Sequence, residues 1–434
     1  MESLTYGQLL SKNRNFRNLL AGQFVSEMGN WFNFIAGLGL VRVVSDASPE
    51  AAGILFVCRL LPFALFSPIA GMFVDRFSRR QVMIVSDLTR VAIALMFLLV
   101  TDAGDLWIAY LATTLLSVFG AFFEGAKNAA TPNLTGGEGL LAGTALMFST
   151  RFLLMAIGSA LGGWAAAIFG YQVAFMINAA SFLVSAFSVW LIPEDAVREN
   201  ETANRTERPS FVTELKEGLS YTVKNHFAAT ILIMNVIWAT GGGAINIVFE
   251  RMGGVYFAEK ESLNPDISVA MLWMASGLGL FLGMMIAHRT SVYLDRRNRH
   301  RPFIGWTLIL HGIIFAAAAF APNLLWFSVL AFVSRTIIGV EYAVQETMFQ
   351  RSLPDFIRGR ISTLDRGAEM TMFGLSSYFA SLAIYDISPQ MLTAVSGLLA
   401  GSSGVVWFIR QSRSELPASK RAGSYNADCE MRKE

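Results

Sequence analysis

Long apolar runs alternate with short polar connections along the whole chain. A helix needs about 20 mostly apolar residues to cross the hydrocarbon core of a bilayer, and twelve runs are candidates for such helices. Continuous runs are not the short alternating strands of a closed β-barrel, which is the other structure that can span a membrane. The predicted spans are 17–44, 51–74, 81–101, 105–127, 143–168, 171–192, 227–250, 268–290, 302–321, 323–349, 362–386 and 389–411.

The twelve runs form two sets of six, separated by a polar stretch rich in Glu, Arg, Asn and Thr. Within that stretch, residues 211–224 have the spacing of an amphipathic helix that lies along a membrane surface. We therefore expect four regions. They are a six-helix bundle over 1–192, a cytoplasmic linker over 193–226, a second six-helix bundle over 227–411 and a cytoplasmic tail over 412–434.

Composition agrees with a lipid environment and excludes several classes of site. Hydrophobic residues make up 54% of the chain and charged residues 15%, whereas about a quarter of an ordinary globular chain is charged. With four His and two Cys, the sequence gives no metal or haem spacing, and it has no phosphate-binding loop that would indicate ATP. We expect a membrane protein that is not an enzyme, that holds no metal or cofactor and that binds no nucleic acid.

Orientation follows from the basic residues, because cytoplasmic loops are enriched in Lys and Arg. The connections on one side of the predicted bundle carry most of them, and those on the other side are nearly bare. With an even number of spans, this places both termini and the linker in the cytoplasm. The residues on the basic side are Lys12, Arg14, Arg76, Arg79, Arg80, Lys127, Arg198, Arg205, Arg208, Lys216, Lys224, Arg296, Arg297, Arg299, Arg301, Arg351, Arg358 and Arg360.

The connection after the second span carries a specific motif. Glycine there allows close helix approach, and an aspartate can accept charge-assisted hydrogen bonds. The pattern G-x-x-x-D-R-x-x-R-R resembles the loop motif of the major facilitator superfamily, at the loop where that family places it. The resemblance implies that this loop locks the two halves together on the cytoplasmic side. Its residues are Gly71, Asp75, Arg76, Arg79 and Arg80.

Further stretches resemble the drug-efflux branch of the superfamily, which includes macrolide-efflux proteins and the enterobactin exporter. They are Arg59-Leu-Leu-Pro62, Ser86-Asp87-Leu-Thr-Arg90, Gly158-x-x-x-Gly162-Gly163, Gly170-Tyr-Gln-Val-Ala-Phe175 and Gln350-Arg351-Ser-Leu-Pro354-Asp-Phe-Ile-Arg358-Gly359-Arg360. The resemblance implies an all-α fold of two pseudo-symmetric six-helix bundles, a substrate site near the midplane between them, a monomer, and the bacterial inner membrane as its location. One departure is that span five lacks the Gly-Pro pair of many proton antiporters of the superfamily.

Polar residues inside the spans mark the candidate site. A charge at bilayer depth costs about 2.5–3.5 kcal/mol on insertion scales, so such groups face a cavity or a partner. In span one, a polar stripe lies on one helical face, and Glu27 is its protonatable or cation-binding group. The alternative is a polar contact that only sets helix packing. The stripe consists of Gln23, Glu27, Asn30 and Phe34.

The remaining cavity candidates come from spans four, seven and ten. They are Glu124, Asn235, Trp238, Asn246, Glu341, Tyr342, Gln345 and Glu346. Glu124 has the i, i+3 spacing of an ion pair with Lys127, so a structural role is an equal alternative for it. Two further sets are assigned to structural ion pairs. Asp87 is expected to pair with Arg90 or with the 75–80 loop, and Arg335 to pair with Glu369 or Asp365.

These patterns indicate a secondary active transporter that exports an amphipathic small molecule by alternating access. Protons are the expected coupling ion, bound by Glu27 first and then by Glu341 or Glu346. Three alternatives stay open: a translocator of lysophospholipid-like lipids, a siderophore exporter, and a receptor that binds without transporting. A cavity lined by Arg would favour an anionic siderophore, whereas acidic stripes favour cations or neutral drugs.

Overall fold

The computed structural model describes residues 6–74, 76–197 and 211–411. Within these ranges the chain is helical and has no strand, which confirms the predicted all-α class. Asp75 of the loop motif, the tail 412–434 and residues 198–210 of the predicted linker lie outside the described residues. The predicted surface helix is present as Phe211–Lys224, and its Leu219 and Val223 are exposed.

Twelve helices within the described residues are long enough to span a membrane. We number them α1 (Arg14–Val44), α2 (Pro49–Val74), α3 (Arg79–Met96), α4 (Ala103–Gly136), α5 (Ala142–Phe169), α6 (Tyr171–Trp190), α7 (His226–Arg251), α8 (Pro265–Arg297), α9 (His300–Ala317), α10 (Leu324–Ser352), α11 (Asp355–Ala383) and α12 (Pro389–Gln411). Two short helices, Tyr6–Lys12 and Glu194–Val197, flank the first six.

Composition separates two of the twelve from the rest. Ten helices are apolar enough to cross a membrane by length and composition, and α1 and α11 are not among them. Both carry several ionisable residues, among them Glu27 in α1 and Glu369 in α11. Helices that line a polar cleft need fewer lipid-facing positions, so this difference already points to α1 and α11 as cleft walls.

Several predicted boundaries are too short. The expected loop between spans four and five is helical, and α4 and α5 are separated only by a kink at Gly136, whose φ of 66° is left-handed. Helix α11 begins at Asp355, seven residues before the predicted start. Hydropathy detects where a helix leaves the apolar layer, whereas backbone hydrogen bonds continue beyond it. The predicted starts and ends of these spans were therefore wrong on the side that carries the basic loops.

The helices pack as two bundles, α1–α6 and α7–α12. In the first half α1 packs on α5 and α6, α3 packs on α6, and Ser117 of α4 hydrogen-bonds the Arg59 carbonyl of α2. In the second half α8 packs on α10, α9 on α12, and α7 on both α11 and α12. The halves meet along two seams, α2 with α11 and α5 with α8.

Glycine makes the α5–α8 seam tight. A Cβ added at Gly277 of α8 would lie 2.6 Å from the backbone nitrogen of Ala156 in α5. A backbone atom cannot rotate away, as the end of a side chain can, so a larger residue here would push the two halves apart.

We expect Gly277→Ala to destabilise the protein by about 1–3 kcal/mol through overpacking, seen as a lower midpoint of thermal unfolding in detergent. Gly120→Ala is the matched control, because a Cβ at Gly120 of α4 would meet no described residue within 4 Å and alanine favours the helix. Equal midpoints for Gly277→Ala and the unmodified protein would show that the seam is packed less tightly than its backbone distances indicate.

The buried core is not the same at the two ends of the bundle. We call the end with the connections after α2, α8 and α10 the basic end and the other the opposite end. Towards the opposite end, one apolar cluster joins both halves and includes Phe56 of α2 with Phe249 of α7. At the basic end each half has its own cluster, around Phe16 and Val82 in the first half and Trp407 in the second. The halves are therefore closed together towards the opposite end.

Candidate functional site

A buried network of charges joins the halves at the opposite end. Arg42 of α1 donates a hydrogen bond to Asp266 of α8 and lies 3.6 Å from Glu250 of α7. Glu250 also accepts from Arg251 at 2.7 Å, and the Tyr171 hydroxyl donates to Asp266 at 3.0 Å. Arg42, Glu250, Arg251 and Asp266 are all buried. We call these four residues, together with Tyr171, the ionic layer.

Aromatic rings form a second layer between the ionic layer and the middle of the bundle. Trp31, Phe34 and Phe56 come from the first half, and Phe249 and Trp273 from the second. The Trp273 ring lies 5.1 Å from Phe34 and 5.3 Å from Phe249, both edge to face. Such pairs add to the stability gained from burial alone. This aromatic layer seals the space between the halves, and it contains Phe34 of the predicted stripe.

Below the aromatic layer, the first half presents charged groups from α1, α2 and α5. Glu27 is half-buried and accepts a hydrogen bond from Asn30 at 3.4 Å. The Arg59 guanidinium lies 4.4 Å from the centre of the Phe34 ring and within electrostatic range of Glu27 and Arg151. Arg151 itself is exposed. These groups form a basic wall with one acidic residue beside it.

The second half presents mainly carboxylates, from α10 and α11. Asp365 accepts a hydrogen bond from Asn235 at 2.9 Å, and Asn235 in turn accepts one from Gln345 at 2.9 Å. Glu369 lies 3.4 Å from Arg366, and Glu346 accepts from Gln350 at 2.7 Å. Asp365 and Glu369 are buried, and the second Asp365 oxygen, Oδ1, has no hydrogen-bond partner among the described residues.

The two walls face each other. Arg151 of α5 is within electrostatic range of Glu369 of α11 and of Glu124 of α4. Glu346 and Asp365 both act on Glu369. We call the set Glu27, Arg59, Arg151, Glu346, Asp365 and Glu369 the charged cleft. It draws on helices of both halves, and its correspondence to the substrate site expected near the midplane stays a prediction.

The structure brings together several of the predicted cavity residues. Asn235, Gln345 and Glu346 lie at the acidic wall, and Tyr342 packs under the Arg366 guanidinium, 5.5 Å from its carbon. Trp238 packs edge to face on Phe373 at 5.4 Å, and its indole N–H has no partner among the described residues. Their assignment as substrate contacts stays a prediction.

Other predicted cavity residues are buried or paired within one half. Asn246 donates to Ser377 at 3.1 Å, a contact that holds α7 on α11. Glu341 is enclosed at 1% exposure, and no charged group among the described residues acts on it. Gln23 is buried, and Glu124 pairs with Lys127 at 2.5 Å, as its spacing predicted. Glu341 is therefore a poorer candidate for coupling than the carboxylates of the cleft.

The two predicted ion pairs have different outcomes. Arg90 donates a hydrogen bond to Asp87 inside the first half, one of the two partners expected for Asp87. The expected pair of Arg335 with Glu369 or Asp365 was wrong. Glu369 is paired with Arg366 instead, and the Arg335 guanidinium lies 6.0 Å from the rings of Phe249 and Phe315. A guanidinium can be accommodated on aromatic faces as well as by a carboxylate.

The described part of the loop motif is held within the first half. Arg79 donates to the carbonyls of Ala129 and Val197 at 3.1 and 3.4 Å. Arg80 donates to the Trp190 carbonyl at 2.6 Å. A Cβ at Gly71 would meet no described residue within 4 Å, so no described neighbour presses on α2 there. Arg76 follows in a turn. A locking role of this loop between the halves stays a prediction.

The ionic layer was largely missed from the sequence. Arg42 and Asp266 lie near the ends of their spans, where charged residues are common, and their partnership joins residues 224 positions apart. Glu250 lies at the end of span seven and was not among the predicted site residues. The available signal was that Arg251, next to Glu250, is a basic residue on the side whose other connections are nearly bare of Lys and Arg.

This architecture can now be compared with known proteins. The family model described as Major Facilitator Superfamily matches residues 19–364. The chain belongs to the major facilitator superfamily. A single-residue mutant of the nucleoside transporter NupG has a solved structure with a TM-score of 0.70, covering 92% of this chain and all of that one at 15% identity. At that identity the likeness supports the fold of this superfamily member.

Relatives in bacteria are also similar over long stretches. The MFS-type transporter YfiS of Bacillus subtilis strain 168, which carries the description uncharacterized, is 29% identical over 213 residues. That match spans about half of each chain. Macrolide efflux protein A of Streptococcus pyogenes is 23% identical over 363 residues, covering 80% of this chain and 84% of the relative. The drug-efflux branch suggested by the sequence motifs is thereby supported, and the chain is a multi-pass membrane transporter.

Proposed function

We propose that this transporter exports an amphipathic small molecule from the cytoplasm by alternating access, in exchange for protons. The observation that carries the proposal is the charged cleft between the halves, closed on one side by the aromatic and ionic layers. Apolar rings above a charged cleft suit a substrate that is partly apolar and partly polar. Export of such compounds agrees with the macrolide efflux relative.

The distribution of basic residues supports the proposed direction. Because basic loops stay in the cytoplasm, we assign the opposite end to the outside, and the closure at that end then makes this an inward-facing state. Substrate would reach the charged cleft from the cytoplasm. To release it outside, the ionic and aromatic layers would have to separate while the basic ends of the halves come together.

Proton exchange follows from the acidic wall. A cationic group of the substrate and a proton would compete for the same carboxylates, so that loading one requires release of the other. Asp365 and Glu369 are the best placed, because Glu346 acts on both of them, whereas no charged group among the described residues acts on Glu341. Glu27 on the basic wall is the third candidate. Glu341 is enclosed away from the cleft and takes a smaller part.

Proton flux in proteoliposomes that contain a pH-sensitive dye tests the proposal. We expect addition of a substrate to cause a pH change that Asp365→Asn and Glu369→Gln abolish and Glu27→Gln weakens, whereas Glu341→Gln has a smaller effect. The substrates to screen are a cationic macrolide, a catecholate siderophore and a lysophospholipid. Glu259→Gln is the matched control, because Glu259 is an exposed acid outside the cleft.

Two outcomes would contradict the antiport mechanism. Unchanged pH-dependent transport in all of the cleft variants would exclude their carboxylates as coupling groups. Transport of lysophospholipid with no pH change would favour the lipid-translocating alternative, and the charged cleft would then serve headgroup binding alone.

A further inference from the structure

The two walls of the charged cleft carry opposite charges: arginines on the first-half wall and mainly carboxylates on the second-half wall. Arg59 and Arg151 stand on the first-half wall, and their guanidinium groups make no hydrogen bond or ion pair to any described residue. An arginine has five N–H donors in a planar fork that matches a carboxylate or a phosphate. Arg59 is half-buried against the Phe34 ring, which fixes its position and leaves its donors unused by the protein.

The opposite charge is in excess on the second-half wall. Glu346, Asp365 and Glu369 lie within electrostatic range of one another, and Arg366 is the basic group that pairs with Glu369 there. Asp365 is 7% exposed and accepts from Asn235 through one oxygen only. Its other oxygen, Oδ1, has no hydrogen-bond partner among the described residues. A buried acceptor without a partner is costly unless something in the functional cycle fills it.

The unused donors belong to the first half and the unused acceptor to the second, and Arg151 is within electrostatic range of both Arg59 and Glu369. A ligand with only a positive charge would leave the guanidinium groups unsatisfied and would be repelled by them. A ligand with only a negative charge would be repelled by the carboxylates and would leave the buried acceptor without a partner. One molecule that carries both charges would satisfy both walls.

We propose that the cleft selects a zwitterionic amphiphile, with its anionic group on Arg59 and Arg151, its cationic group on Asp365, and its apolar part against the aromatic layer. This inference rests on the proposed transport function and specifies its substrate class. The same chemistry occurs in two sources, small soluble zwitterions such as dipeptides and the headgroups of zwitterionic lysolipids.

Binding to the purified protein tests the inference without requiring transport or proton movement. Three matched probes share one apolar part: leucyl-phenylalanine, its C-terminal amide, which is a cation, and its N-acetyl derivative, which is an anion. A second arm compares lysophosphatidylethanolamine with anionic lysophosphatidylglycerol. Isothermal titration calorimetry should show the zwitterion of at least one arm binding about tenfold more tightly than its singly charged analogues, since a hydrogen bond to a charged group has this magnitude.

Two variants should separate the contribution of the ligand's anionic group from that of its cationic group. Arg59→Gln should remove the advantage of the dipeptide over its amide while keeping its advantage over the N-acetyl derivative. Asp365→Asn should do the reverse. A general loss of structure would weaken all three probes together and could not produce this crossover. Arg296→Gln is the control, because Arg296 is exposed at the basic end of α8, away from the cleft.

A crossover with the dipeptide series would identify the ligand as a soluble zwitterion. A preference confined to lysophosphatidylethanolamine would identify it as a lipid headgroup, and both results support the inference. It is overturned if the unmodified protein binds the amide as tightly as the dipeptide, if both variants weaken every probe equally, or if no zwitterion binds. Loss of coupled proton flux with the crossover retained would refute the antiport proposal alone.

Discussion

Replacing Arg42 with alanine should shift the transporter towards a state that is open at its opposite end. Arg42 is the one basic residue of the ionic layer that comes from the first half, and it contacts both Asp266 and Glu250 of the second. Without it, two buried carboxylates face each other with Arg251 as the remaining counter-charge. Removing one partner of a buried ion pair costs about 3–5 kcal/mol. Opening would hydrate both carboxylates, so the closed state bears most of this cost.

A cost of that size changes the ratio of closed to open molecules by roughly 10² to 4 × 10³-fold, since each 1.4 kcal/mol is a factor of ten. Spin labels at Asp46 and Leu263 can measure the change, because these residues come from different halves and line the same shallow cleft at the opposite end. The labels are introduced by cysteine substitution after Cys58→Ser and Cys429→Ser. We expect a short distance in the parent protein and a longer one in Arg42→Ala.

The matched control for this experiment is Glu259→Gln, which removes a charge from the shallow cleft at the opposite end, not from the charged cleft, and leaves the ionic layer intact. Arg42→Lys retains the charge but not the two-sided fork, so it should give an intermediate population. A folded Arg42→Ala protein with the parent distance would show that the aromatic layer alone holds this end closed. The Trp273 contacts to Phe34 and Phe249 would then be the next to change.

The helices and their grouping could be predicted from the sequence because lipid imposes a simple rule. Each span must be apolar for about 20 residues, and that requirement is visible residue by residue. The rule also explains its own failures. It gave no information on the helical extension that α4 makes to Gly136 beyond the predicted end at 127. That extension mixes polar residues with the buried Ala130 and Leu134, so it has no continuous apolar run.

The candidate site was predicted only in part because helical spacing fixes which residues share a face but not what that face meets. Glu27 and Asn30 were placed together correctly in this sense, as their hydrogen bond shows. Glu341 and Glu346 could not be ranked by spacing, and packing encloses the first while the second reaches the charged cleft. Arg59 and Arg151 were not selected as cleft residues, since nothing local distinguishes a bare arginine from a paired one.

Buried charges were also assumed to need a charged partner, which holds for Asp87 and Arg90 but not for Arg335. Arg335 lies near the rings of Phe249 and Phe315, and the sequence offers no local sign of that choice. The difference between Arg90 and Arg335 matters for function. An ion pair that serves only to compensate two buried charges for their lost hydration should be dispensable when both charges are removed together.

The Asp87–Arg90 pair provides that test in the first half. Asp87 is fully buried, and the Arg90 guanidinium lies between the rings of Phe123 and Phe182, 4.7 and 4.3 Å from their centres. Asp87→Ala leaves this cation without its carboxylate, and we expect a loss of stability of about 3–5 kcal/mol. It would be measured as a lower midpoint of thermal unfolding and a reduced yield of monodisperse protein.

The double substitution Asp87→Leu with Arg90→Met removes both charges and fills similar volume. Replacing a whole buried pair with apolar residues is neutral or stabilising by about 1–4 kcal/mol, so the double variant should recover the stability that Asp87→Ala loses. If the pair is structural, the double variant should also retain proton-coupled transport in proteoliposomes. A double variant that is stable but inactive would instead place Asp87 and Arg90 in the transport cycle, because stability and activity would then depend on different properties of the same two residues.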